Sequence, residues 1–201
     1  LFGPGGMRFS GMGITTLKGA NTYTGKTTVS KDSTLRVTGS LSDATTVAVD
    51  SGGTYLVSSD DTIFGLEGEG LVSLEGSTLT VSPDLGSSLS FGGGIADNGD
   101  FVKAGGGTQV LTGKSTYKGS TFIENGVLQV SSGGGLPDKT PVTVSIRAAY
   151  VVDSTDTIGS LAGNGGVVLG DGKVLSAGAA GSTEFSGVMI GSGGFTKQGP
   201  G

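Results

Sequence analysis

The chain has 201 residues, 42 of them glycine; it has no cysteine and no histidine, 34% of it is hydrophobic, 14% is charged, and the net charge is −5. That composition excludes thiolate nucleophiles, histidine bases, Ser-His-Asp triads, ordinary zinc sites and disulfides, and without a basic run it gives nucleic acid and anionic membrane surfaces no electrostatic handle. The glycines fall in pairs and triplets rather than every third residue, which excludes collagen, and no stretch approaches the roughly 20 apolar residues of a membrane span.

The first residues lack a signal-peptide pattern, so the segment is expected to lie downstream of any export signal. In chain order, short runs of alternating apolar and polar residues then recur between clusters of Gly, Asn, Asp and Ser. Residues 34–37, 46–49, 54–57, 70–74 and 78–81 each read as a half-buried strand rich in β-branched residues. The alternation turns Val47, Val49, Leu79 and Val81 inward, and further along Leu128 and Val130. No stretch carries an extended i, i+3, i+4 pattern, so no long helix is expected.

The runs also repeat. Ser-Thr-Tyr-Lys-Gly-Ser-Thr-Phe-Ile at 115–123 restates Asn-Thr-Tyr-Thr-Gly-Lys-Thr-Thr-Val at 21–29, placing Tyr117 94 positions after Tyr23. The same offset relates Leu17 to Leu111, Phe91 to Phe185 and Phe101-Val102-Lys103 to Phe195-Thr196-Lys197. Between them it becomes 95, taking Tyr55 to Tyr150 and Asp61-Thr62-Ile63 to Asp156-Thr157-Ile158. Residues 1–201 therefore read as one segment with long copies at about 7–100 and 101–194 and the start of a third at 195–201. Long tandem repetition is the mark of a solenoid. With coils of ~20–25 residues, each unit holds four or five, giving about eight or nine coils and a rod on the order of 40 Å long. Glycine suits the corners, where positive φ is needed. The structural rival is a closed barrel or sandwich of hairpins, since Asn125-Gly126 suits a tight hairpin turn.

The run Gly99-x-Phe101-x-Lys103-x-Gly105-x-Gly107-Thr108-x-Val110-Leu111-Thr112-Gly113, followed by Tyr117-x-Gly119-x-Thr121-x-Ile123-x-x-Gly126-x-Leu128-x-Val130, closely resembles the autotransporter-associated β-strand repeat, also called the passenger-associated transport repeat. The first copy carries the pattern again from Leu17 through Val37, with Asp32-Ser33 and one extra residue where Gly126 would fall, and departs from it near Met7-Arg8-Phe9. The resemblance implies an all-β, right-handed parallel β-helix. It also implies a secreted or surface-displayed passenger, tethered in its parent by a C-terminal outer-membrane β-barrel, with host-cell or matrix surfaces, or further copies of itself, as partners.

Several residue groups invite a chemical reading. Gly25-Lys26-Thr27 and Gly113-Lys114-Ser115 look like the end of a phosphate loop, but Ala20 and Thr108 stand where its first glycine belongs. Asp97-Asn98-Gly99-Asp100 is a candidate calcium cluster that the second copy replaces with Gly191-Ser192-Gly193-Gly194. Asp60-Asp61 and Asp153 with Asp156 are candidate paired carboxylates of a glycoside hydrolase, although repeat-equivalent acids suit turns better. Tyr23, Tyr55, Tyr117 and Tyr150 suit core or corner packing better than an exposed carbohydrate strip, and Lys103 and Lys197 read as solvent-facing charges. No residue is assigned a catalytic, cofactor-binding or metal role, and no ligand site is assigned. The leading expectation is a non-enzymatic, extracellular stalk that supports adhesion. The alternatives are a β-helix that binds or degrades polysaccharide and a self-associating filament or biofilm protein.

Overall fold

A computed structural model describes residues 2–178 and 182–199. The remaining positions, including the last two of the expected third copy, lie outside the described residues. Among the described residues the regular elements are all strands, and none is a helix long and apolar enough to cross a membrane.

The strands stack in parallel as a three-sided solenoid. The first face is a single ten-stranded sheet in chain order: Met7–Phe9, Thr27–Val29, Thr46–Val49, Gly65–Gly68, Ser88–Phe91, Thr108–Leu111, Gly126–Val130, Ala148–Val152, Gly166–Leu169 and Val188–Gly191. Its register partners in adjacent coils are 17 to 23 residues apart. Ten strands make nine steps of about 4.8 Å, a rod of roughly 43 Å. The second face runs from Gly13–Leu17 to Gly94–Ala96, is interrupted, and resumes with Asp156–Ile158, Val174–Ala177 and Gly194–Lys197. On the third face Phe2–Gly3 pairs Thr22–Tyr23, and after its own interruption six strands run from Asp61–Ile63 to Ser160–Gly163. This is the β-solenoid of about nine turns that the repetition implies. Asn125-Gly126 does not form a hairpin; it turns a corner between Thr121–Ile123 on the third face and Gly126–Val130 on the first.

Alternation sorts the side chains as expected. Val47, Val49, Leu79, Val81, Leu128 and Val130 are fully buried in one continuous core. At the corners the backbone turns left-handed. Gly68 (φ +94) and its repeat-equivalent Gly163 (φ +106) lie so close to the carbonyls of Val49 and Val144 that a Cβ would collide with them. Asp32 holds φ +62 where Gly126 holds φ +66, so the departure from the repeat pattern preserves the turn, aspartate being among the residues that tolerate this region.

Residues one repeat offset apart do not lie above one another. Thr27–Val29 is on the first face and Thr121–Ile123 on the third, whereas Asp61–Ile63 is on the third and Asp156–Ile158 on the second. The offset of 94 to 95 positions spans four coils and two faces of the next, so equivalent side chains are turned by one face around the rod.

Candidate functional site

On the interrupted part of the second face, residues 114–118 and 134–139 cross as loops joined by a bridge between Lys114 and Gly135. Beneath them is a buried polar cluster. The Tyr150 hydroxyl donates to Asp156 Oδ2, and the Leu136 amide donates to the same oxygen at 3.3 Å. Alongside, Thr140 Oγ1 donates to the Gly119 carbonyl at 2.8 Å. A hydroxyl carries one proton, so Thr140 must accept from Thr121 at 3.1 Å, and Thr121 in turn from Tyr117.

The same cluster stands one repeat earlier on the third face. Tyr55 donates to Asp61 at 3.0 Å, the Leu41 amide donates to Asp61 at 3.0 Å, and the chain Tyr23, Thr27, Thr45 ends on the Gly25 carbonyl at 2.5 Å. Burial pushes both carboxyls up to about 6, against hydrogen bonds from the tyrosine and two backbone amides that favour the charged form. Burial likewise raises all four tyrosines.

Over the second cluster a cavity of about 740 Å³ opens to solvent. Lys114, Lys118 and Lys139 line it and are exposed, while Ser115 and Asp156 lie buried at its floor. None of the three lysines makes an ion pair among the described residues, where Lys26 pairs Glu67 and Arg36 pairs Glu75. Ser115 Oγ is buried without a hydrogen-bond partner.

Elsewhere the expected chemistry is absorbed by the fold. Thr27 leads a strand rather than a helix, and Thr121 follows Gly113-Lys114-Ser115 in the same way. Asp97 turns the chain at φ +71 and accepts from Ser73 Oγ at 2.5 Å, and Asp100 accepts from the Ser120 amide at 2.7 Å. Asp60 accepts from the Thr78 amide at 2.7 Å and Asp153 from Gln129 at 2.6 Å. Among the described residues no group of three or more acids is placed to hold a metal ion. The tyrosines are at most 2% exposed and form no surface strip; Tyr117 meets Phe101 with ring centroids 6.3 Å apart.

Lys103 corrects the expectation. It is 0% exposed, and its ammonium donates to the carbonyls of Ala104, Gly105 and Asn125, the last two at 3.0 Å. Burial lowers its pKa to about 8. Lys197, in the last coil, makes the corresponding contacts to Gln198 and Gly199. Gln109, which the sequence reading passes over, is also fully buried. Its amide accepts from Leu66 N and donates to Leu66 O, both at 3.0 Å, where the ladder between Gly65–Gly68 and Ser88–Phe91 is reduced to one register pair.

Comparison with known proteins adds an independent line. The family model described as passenger-associated-transport-repeat matches residues 10–31 and 101–130. The chain is 34% identical over 206 residues to the "Adhesin BmaC autotransporter" of Brucella suis biovar 1 (strain 1330), with 92% of the chain covered. It spans 6% of that protein's length. No solved structure matches.

Proposed function

The chain belongs to the autotransporter passengers built on passenger-associated transport repeats, and from that premise we propose that it is a structural stalk segment of a surface-exposed or secreted adhesin. The carrying observation is the single ten-stranded sheet that continues along the rod, with the Gln109 side chain bridging the step where its ladder thins to one register pair. Parallel strands pinned at every coil over a continuous apolar core make a stiff spacer, because each coil is stabilised by its neighbours. Its task is to hold an adhesive surface away from the cell, toward a host-cell or matrix surface or toward another copy of itself. The parent is tethered by a C-terminal outer-membrane β-barrel, and the repeat copies divide at about 100 and 194. The role is not enzymatic: the carboxylates that could have formed a hydrolytic pair each accept hydrogen bonds that hold turns or coils together.

Display of the chain on bacteria through an outer-membrane anchor tests this. The expected result is a protease-resistant surface protein that raises adherence to matrix-coated wells above the anchor alone. Rapid digestion to short peptides would overturn the stalk, and full display with no gain in adherence would overturn its adhesive role.

A further inference from the structure

The two repeat-equivalent clusters share one architecture and differ in what surrounds them. Around the first stand Ala20, Thr24 and Ala44, with Asp43, Asp60 and Asp61. At the matching positions around the second stand Lys114, Lys118 and Lys139, with Asp138, Thr155 and Asp156. Three carboxylates without a cation have become three cations with two carboxylates. The structure confirms that the positions match: Ala20 bridges Ser40 as Lys114 bridges Gly135, and Leu41 N meets Asp61 as Leu136 N meets Asp156.

A second difference lies at the floor. In the first copy the Asn21 side-chain amide donates to the carbonyls of Gly19 at 2.7 Å and Ser40 at 3.0 Å, closing the space between coils. Ser115 replaces it in the second copy. Its shorter side chain reaches neither carbonyl, its hydroxyl is buried without a partner, and it lines the 740 Å³ cavity. The Gly135 carbonyl accepts the Ser115 amide at 3.0 Å, and its other lone pair meets no side-chain donor among the described residues.

We propose that this groove binds an acidic sugar chain, a sulfated or carboxylated glycan. The lysines call for anionic groups, whereas the Gly135 carbonyl and the exposed Asp138 carboxylate call for hydrogen-bond donors. A simple polyanion supplies only the first; an acidic saccharide carries both on one ring. Lysine ammoniums, being mobile point charges without the arginine fork, suit anions spaced along a flexible chain more than one fixed phosphate. The proposal rests on the adhesive reading above and names its ligand class.

Binding of the purified chain is measured to immobilised heparin, to hyaluronan, to neutral dextran and to duplex DNA, at about 50 and 200 mM salt so that screening is read directly. At least one acidic glycan binds and weakens with salt, while dextran does not bind. Heparin alone assigns sulfate, and hyaluronan binding assigns carboxylate. Lys114→Ala with Lys118→Thr and Lys139→Ala, which installs the first copy's residues at exposed positions, lowers affinity at least tenfold, about 1.4 kcal/mol. Ser115→Asn, which refills the niche from within, also weakens binding while leaving the circular dichroism spectrum unchanged. No binding to either glycan, equal binding to DNA, or binding that survives the lysine substitutions overturns the proposal. A protease-resistant, adherent display strain with no glycan binding sinks the groove and leaves the stalk standing.

Discussion

The two buried aspartates should give this solenoid a pH dependence opposite to ordinary acid denaturation. Asp61 and Asp156 are each 5% exposed and titrate near 6 in the fold, against 3.8 when free. A carboxyl whose folded pKa is raised binds its proton more tightly in the folded state, so its contribution to stability grows as pH falls through 6 toward 4 and is lost above 6. Between pH 7 and pH 4.5 each site should contribute about 2 kcal/mol, and the pair about 4 kcal/mol if they act independently. Urea unfolding followed by circular dichroism across that range measures it in wild type and in Asp61→Asn with Asp156→Asn. Asparagine keeps the oxygen that accepts from Leu41 or Leu136 and from the tyrosine but cannot titrate. The wild-type midpoint should rise toward pH 4.5 relative to the double variant, and the two should converge most closely at low pH. Parallel pH profiles for the two proteins would refute the reasoning.

Gln109→Leu removes the amide that patches the ladder and leaves a buried N–H and C=O of Leu66 unpaired, at about 2–4 kcal/mol; a lower urea midpoint and fast exchange of the Leu66 amide should report it. Gly163→Ala places a Cβ against the Val144 carbonyl in a left-handed conformation and should cost more than about 1 kcal/mol. Gly172→Ala, at positive φ with open space around it, is the milder control for the same urea titration.

Much of this was legible in the chain. Alternation in Thr46–Val49 and Thr78–Val81 points Val47, Val49, Leu79 and Val81 inward, and the glycine and aspartate clusters mark corners. The same alternation also pointed Lys103 inward, two positions after Phe101, and Gln109 inward, two before Leu111. Charge and polarity argued the other way, and backbone groups that only stacked coils bring together outweighed them, turn carbonyls for Lys103 and the Leu66 N–H and C=O for Gln109. The one-face rotation between copies was not legible, because it depends on coil length to within a few residues. The lysine groove left a trace in the aligned copies, where Lys114, Lys118 and Lys139 face Ala20, Thr24 and Ala44. Only the stacking of 114–118 against 134–139 shows that the three share one cavity.

Axial stacking of the first face is what makes the chain a rod, and a sequence without cysteine allows clean spin labelling. Arg8 and Ile190 are exposed residues in its first and last strands, nine strand-to-strand steps apart. Labels on Arg8→Cys and Ile190→Cys should give a single narrow distance near 43 Å by double electron–electron resonance, within the reach of the label linkers. A distance far below that, as in a closed barrel of hairpins, or a broad distribution would contradict the rod.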